Sequence, residues 1–457
     1  MLKELLSKEE GKILEFKENT QSLQKIIQTI IAFANTAGGT LIIGVKDTTK
    51  EIVGLDNLLK DEEKIANAIA DSISPLLIPN FQFHTWRNRD LLIVTVSHSF
   101  APYYLRSKGL EQGVYVRFGS TNRLADAQTI AEIQRLKEHK HFDELPNIRC
   151  PIKKIDFDKA KILFLDESKK FTEQTARSLD LLVTHQEKEF PSNGAVLLFG
   201  KELHQFFPDA LIKMGRFQGT TKAKIIDQKE LISPLAWALD EILAFIKRHT
   251  SIAAEITETK RKDIPQYPSI VVREAVINAL LHSDYSIKGA SIQIAIFDDR
   301  IEITNPGALL FGLNLETALS GVSQLRNRVI GHVFRELNLI ERWGSGLGRM
   351  ITTCIEQGIL PPKFEELANF FRVTLFHGAM KQKITEDWQV LIIEYLKTNS
   401  IITAKQAQQI WKVTSRTVSS RLKKMCEQDF IIEIAASPYD PHKIFTLPKH
   451  GQYVDNH

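Results

Sequence analysis

In Arg273-Glu274-Ala275-Val276-Ile277-Asn278-Ala279-Leu280-Leu281-His282 an acid and an amide stand four residues apart. Apolar Val271, Val272, Ala275, Val276, Ala279 and Leu280 recur at helical spacing, so the segment is expected to form an amphipathic helix. Glu274 and Asn278 then share one face of it, a turn from each other. A carboxylate in that position can activate a water, and the neighbouring amide oxygen can hold a hydrated Mg²⁺ that carries phosphate oxygens. Downstream, Gly344, Gly346 and Gly348 offer backbone that approaches phosphates closely, because glycine lacks Cβ and tolerates positive φ. Each half is a weak signal alone. In this order, with a strand-rich segment between them, the two together are specific.

The stretch from Ile270 to Thr374 resembles the GHKL ATPases, in the divergent branch found in bacterial regulator-like proteins. The resemblance implies a layered Bergerat-type α/β sandwich that binds ATP with Mg²⁺, with Glu274 as general base and Asn278 as Mg²⁺ ligand. It also implies that Gly344, Gly346 and Gly348 form the second glycine box beside the phosphates, and that Thr374 lies near the adenine. One position departs from the family. The first box normally opens with an Asp that bonds the adenine amino group, whereas this chain has Asn305-Pro306-Gly307. An Asn carbonyl can accept the same hydrogen bond without the charge. Between the boxes the family carries a mobile lid; here that interval holds Arg326 and Arg328, which either reach the γ-phosphate or only solubilise a helix. ATP-bound lids of relatives promote association, so a homo-oligomer, a dimer or higher, is expected.

At 457 residues the chain exceeds one ordinary domain. Its 43% hydrophobic and 25% charged content is that of a soluble globular protein, and a net charge of +4 says nothing about partners unless the positive residues cluster. Cys150, Cys354 and Cys426 are isolated, which argues against a zinc site or a disulfide framework. The acidic start does not read as a signal peptide and no apolar run approaches 18 residues, so a cytoplasmic protein without a membrane span is expected.

Near the N-terminus, Glu10 to Lys17 alternates apolar and polar like a short strand, Gln24 to Ala34 has a helical apolar face, and Thr40 to Val45 is a buried-type strand. The phrases Glu15-Phe16-Lys17, Ala32-Phe33-Ala34-Asn35-Thr36-Ala37-Gly38-Gly39-Thr40-Leu41-Ile42-Ile43-Gly44-Val45 and Tyr115-Val116-Arg117-Phe118-Gly119-Ser120-Thr121-Asn122 resemble the Schlafen/AlbA_2 domain. That resemblance implies nucleic-acid binding. In some Schlafen relatives it implies a nuclease built on three carboxylates, which map here onto Glu10, Glu15 and Asp47. Three hard oxygen donors around Mg²⁺ or Mn²⁺ suit phosphodiester cleavage. The alternative is that these acids are solvated strand-end and turn residues and the module binds without cutting. Lys12, Lys17, Arg106, Lys108, Arg117 and Arg123 are candidate phosphate contacts.

Residues 141–255 carry no catalytic constellation; Asn193 to Gly200 and Ala210 to Phe217 are expected strands and Leu231 to Thr250 a long helix. Toward the C-terminus, two helices around Val413-Thr414-Ser415, with Thr414 or Ser415 as N-cap, precede two short strands in a pattern that resembles a winged helix-turn-helix. Every charged residue from Thr403 to Lys424 is basic, so Lys412, Arg416, Arg421 and Lys424 are candidate DNA contacts, with protein contacts as the competing use.

The expected architecture is an α/β and α+β multidomain chain: a Schlafen/AlbA-like α/β domain over residues 1–140, a connector over 141–255, a GHKL sandwich over 256–380 and a winged helix over 384–450. Two functions remain open. One is a regulator in which bound ATP gates DNA or RNA engagement; the other is an ATP-regulated nuclease of a defence system using Glu10, Glu15 and Asp47.

Overall fold

The structure, a computed structural model, describes residues 2–6, 8–250, 252–256, 261–340, 346–367, 369–377, 387–399, 401–427, 430–434 and 443–447. The chain forms two compact units, Met1–Met380 and Lys381–His457.

The first unit begins with strand β1 (Leu14–Lys17), helix α1 (Leu23–Asn35), strand β2 (Gly39–Ile43), helix α2 (Leu58–Ser72) and strands β3 (Asn80–Trp86) and β4 (Arg89–Val96). They form a sheet in the order β1-β2-β4-β3, with β1 parallel to β2 and the remaining pairs antiparallel. A hairpin of β5 (Tyr115–Phe118) and β6 (Thr121–Leu124) follows, then helix α3 (Ala127–Lys137). Ile26, Ile30, Ile31 and Phe33 of α1 are buried among sheet and hairpin residues. Asn35 ends α1 inside this core without loss, since its amide donates to the carbonyls of Tyr103 (2.7 Å) and Tyr115 (2.9 Å) and accepts the Tyr103 N–H (2.8 Å).

Next comes helix α4 (Asn193–Phe199), where a strand was expected from sequence. Ser192 caps it by accepting the Ala195 N–H at 3.1 Å, and all seven of its residues are buried. A short apolar run does not distinguish a buried strand from a buried helix by periodicity, and here the cap and the surrounding core decide.

Strands β7 (Ile212–Phe217) and β8 (Ile225–Leu231), helices α5 (Leu235–His249) and α6 (Ser269–His282), and strands β9 (Ile292–Ile296) and β10 (Arg300–Pro306) follow. Helices α7 (Arg328–Glu336) and α8 (Gly346–Glu356) and strands β11 (Lys363–Leu367) and β12 (Phe370–Phe376) complete the unit. The six strands form one sheet ordered β8-β7-β9-β10-β12-β11, parallel only between β7 and β9. The segment read from sequence as a connector therefore supplies two of its strands. Helix α6 is less one-sided than its sequence suggests: Val272, Ala275, Val276, Ile277, Ala279 and Leu280 are all buried, and Glu274 and Asn278 are half-buried on the same helix.

The second unit contains helix α9 (Asp387–Asn399), strand β13 (Ile402–Thr403), helices α10 (Ala404–Trp411) and α11 (Ser415–Glu427), and strands β14 (Ile432–Ile434) and β15 (Ile444–Thr446), ordered β13-β15-β14. Its core gathers Ile392, Leu396, Trp411, Val418, Leu422, Met425 and Phe445. No helix among the described residues is long and apolar enough to cross a membrane.

Candidate functional site

A cavity of about 390 Å³ opens beside α6, in the size range of small-molecule sites. Glu274, Asn278 and His282 line it from α6, Asn305 and Gly307 from the end of β10, and Phe371 and Val373 from β12. Gly346, Leu347 and Arg349 line it from the start of α8, and Arg326 and Arg335 from the segment leading into and along α7. The acid, the amide and the residues of both glycine boxes that fall among the described residues are thus brought together around one space, apart from Gly348. Gly344 lies outside the described residues.

The first turn of α8 approaches α6 so closely that a Cβ on Gly346 would come within 2.1 Å of Glu274 Oε1. A side chain at 346 would therefore displace the Glu274 carboxylate, so glycine lets the first turn of α8, a natural anion site, face the acid–amide pair at this distance. Glu274 Oε1 lies 3.4 Å from Asn278 Nδ2, and Oε2 accepts from Arg349 Nη2 at 2.7 Å. Gly348, one turn position on, has open space where a Cβ would stand. Gly307 adopts φ +95°, a left-handed conformation, and a Cβ there would meet Asp284 Cβ at 3.1 Å and Arg326 Cζ at 3.2 Å. Asn305 is buried, and its Nδ2 donates to the Pro306 carbonyl at 3.0 Å, which leaves Oδ1 as the acceptor on that side chain.

Thr374 is buried in β12 opposite Glu302, but the strand's share of the cavity wall comes from Phe371 and Val373. Side chains alternate across a strand, so a wall that uses residues 371 and 373 turns residue 374 to the other face.

Arg326 is the member of the site that sequence reasoning placed least well. It was read as a γ-phosphate or solubility residue; in the structure its guanidinium pairs with Glu132 of α3, lies 3.3 Å from Asp284 Oδ2 and donates to the Ala308 carbonyl at 2.7 Å. The segment that carries it is anchored as well: Asn327 Nδ2 donates to the carbonyls of Leu281 and Ser283 at 2.8 Å each, and buried Asp143 accepts the N–H groups of Arg328 (3.1 Å) and Ile330 (3.0 Å). On the far side of Arg326 lies a second cavity of about 290 Å³, between the N-terminal part and the larger sheet. Gly307, Ala308, Leu309 and Arg326 line both cavities and form the wall between them. The N-terminal part is held to this wall by Lys12, which pairs with Glu366 of β11 at 2.8 Å, and by the Thr36 carbonyl, which accepts the Gly312 N–H at 2.6 Å. Lys12 is thus engaged and not free for a phosphate.

The N-terminal acids are placed apart in role. Glu15 is buried and its carboxylate is taken by Arg117 and Lys17. Glu10 accepts the Phe16 N–H at 2.8 Å, and burial raises its pKa above the usual carboxylate value. Asp47 is exposed in a turn and accepts the Thr48 N–H at 2.9 Å. Among the described residues no three His, Cys, Asp or Glu side chains gather closely enough to hold a metal ion, so Glu10, Glu15 and Asp47 do not form a ready cation site.

Of the candidate nucleic-acid contacts, Arg117 is a structural residue. Its side chain is fully buried, pairs with Glu15, and donates to the Gly11 carbonyl and Asn122 Oδ1 at 2.9 Å each. Lys17 is bound to Glu15 and to the Phe16 carbonyl, while Arg123 is exposed on β6. In the second unit Lys412, Arg416 and Lys424 are exposed. Arg421 is half-buried, with its guanidinium 4.9 Å from the Trp388 ring centre and 5.5 Å from that of Trp411, a cation–π contact that stabilises the unit. Lys412 takes a left-handed conformation at the end of α10, and Thr414 Oγ1 accepts the Thr417 N–H at 3.4 Å at the start of α11.

Comparison with known proteins adds to this geometry. A model of the Schlafen AlbA_2 family matches residues 10–126, and a model of the family described as "Putative ATP-dependent DNA helicase recG C-terminal" matches residues 289–375. The second match begins after Glu274 and Asn278 and takes in Asn305, Gly307, Arg326, Gly346 and Gly348. Among solved structures, the DIP2311 protein from Corynebacterium diphtheriae is similar over 98% of this chain and 96% of that one, at 19% identity and a TM-score of 0.45. The N-terminal domain of a RecG-related protein from Nitrosomonas europaea is 29% identical, over 27% of this chain and 88% of that one, with a TM-score of 0.22. The chain is therefore similar to the Schlafen AlbA_2 family over residues 10–126 and to the family named for the RecG C-terminus over residues 289–375.

Proposed function

We propose that this protein is a nucleotide-controlled nucleic-acid-binding regulator: an adenine nucleotide occupies the cavity beside α6, and its presence alters how the AlbA_2 domain engages nucleic acid. The observation that carries this reading is Arg326, one guanidinium in the wall of both cavities and ion-paired to Glu132 of the N-terminal part. A ligand that competes for Arg326, or moves the wall, acts on both sides of it.

The residues present suit ATP with Mg²⁺. Asn305 Oδ1 is an acceptor for the 6-amino group of adenine, where guanine carries a carbonyl that would oppose it. Mg²⁺ in such sites keeps several waters and needs few protein oxygens, and the amide oxygen of Asn278 would supply one. The start of α8 favours phosphate through the N–H groups of its first turn and the helix dipole. Bound Mg·ATP would bring a reactive phosphoanhydride. Glu274 is the residue positioned to accept a proton from an attacking water, and its ion pair with Arg349 must loosen before it can do so. Nucleotide retention with slow hydrolysis follows, as suits a switch. For the N-terminal domain, the engagement of Glu15 by Arg117 and Lys17 supports binding over cutting. The exposed basic residues Lys412 and Arg416 make the second unit, read as a winged helix, a further candidate contact for DNA.

The test is fluorescence anisotropy of labelled duplex DNA and single-stranded RNA with the full chain, with and without Mg·ATP. Binding should weaken steeply with salt and its Kd should shift when ATP is added. In Arg326→Gln the chain should still bind nucleic acid while the ATP-induced shift disappears. A wild-type Kd that ATP leaves unchanged would sink the proposal.

A further inference from the structure

Three guanidiniums line the cavity beside α6, and they are not equivalent. Arg326 is committed to Glu132, Asp284 and the Ala308 carbonyl, and Arg349 is paired with Glu274. Arg335 makes no ion pair or side-chain hydrogen bond among the described residues, and its Nε is buried without a partner. It is no chance surface residue. Val329, Ile330, Val333 and Phe334 are fully buried and hold α7 against the core, so the point at which residue 335 leaves the helix is set by packing.

A buried N–H with no acceptor is costly, and natural proteins rarely retain one without a use. A guanidinium offers a planar fork of donors that matches phosphate oxygens, and no other cation facing this cavity stands unengaged among the described residues. We infer that Arg335 binds the polyphosphate tail of the nucleotide and thereby selects ATP and ADP over AMP. This assignment rests on reading the cavity as an adenine-nucleotide site.

Calorimetric titration of the full chain with ATP, ADP and AMP in the presence of Mg²⁺ tests it, on wild type, Arg335→Gln and Arg335→Lys. The glutamine variant should bind ATP and ADP roughly tenfold or more weakly, the usual consequence of losing a charge-assisted hydrogen bond, while AMP changes by less than about twofold. The lysine variant should recover part of the loss, since a point charge replaces the fork. Retained AMP binding reports that the variant is folded. If the glutamine variant binds ATP like wild type, or loses AMP in equal measure, the assignment of Arg335 is overturned while the nucleotide site stands. A wild-type chain that binds no adenine nucleotide would overturn both.

Discussion

At the scale of single residues, the functional pattern was partly legible. Spacing put Glu274 and Asn278 on one face of a helix, because a four-residue interval does so whatever surrounds it, while their suggested roles came from the resemblance; both line the cavity. Arg117 was misjudged for the converse reason: a charged residue in a short strand reads as exposed, and its buried acid partner is 102 positions away. Thr374, which the resemblance implies to lie near the adenine, stands in β12 but is not among the residues that line the cavity, whose wall there is Phe371 and Val373. His282, at the end of α6, carries no functional mark in the sequence, yet it lines the cavity, and burial together with the charge of Arg326 holds its imidazole down to about 4. A histidine with a folded-state pKa below its unfolded value of about 6.5 contributes stability that is present above pH 6.5 and lost as pH falls toward 4. Urea unfolding at several pH values should therefore show wild type losing stability over that window faster than His282→Gln, by at most about 1.4 kcal/mol per pH unit. Parallel pH curves for the two proteins would remove His282 from the account.

At the scale of elements, α1, α5 and α6 and strands β1, β2 and β7 were predicted within a few residues, because periodic segments carry their own signal. Helix α4 was not. Its seven buried residues have no polar side from which to read a period, so only the packed environment separates helix from strand. Two substitutions probe that environment differently. Leu198→Ala removes fully buried methyl groups and should lower stability by about 2–5 kcal/mol, whereas Ser192→Ala removes a cap and should lower it by about 1 kcal/mol. Chemical denaturation of both variants checks the ranking. Equal, small losses would mean that α4 is not integral to the core.

At the scale of the whole molecule, the family resemblances indicated which domains are present but not how they meet. The segment from 141 to 255 looked like a connector because it holds no chemistry; in the structure β7 and β8 extend the sheet that carries the candidate site, and Asp143 caps the helix bearing Arg335. Glu132 was not singled out from sequence. Its partner Arg326 is 194 residues away, and nothing local marks it. The two charges share a largely buried setting, where breaking a pair leaves the survivor poorly compensated. Thermal or urea unfolding of Glu132→Gln, Arg326→Gln and the double variant should therefore be non-additive, with a coupling of about 0.5–3 kcal/mol. Additive losses would mean that the N-terminal part and the wall are held together by other contacts.

The shared wall also has a genetic consequence. Since Arg326 serves two cavities, a substitution there is not a lesion in one site alone, and the two halves of the chain cannot drift independently at this point. Revertants selected to restore a chain damaged at residue 326 or at Gly307 should map to Glu132 and Asp284 more often than to the rest of the nucleotide cavity. A domain swap with a homologue should fail unless residues 132, 284 and 326 travel together.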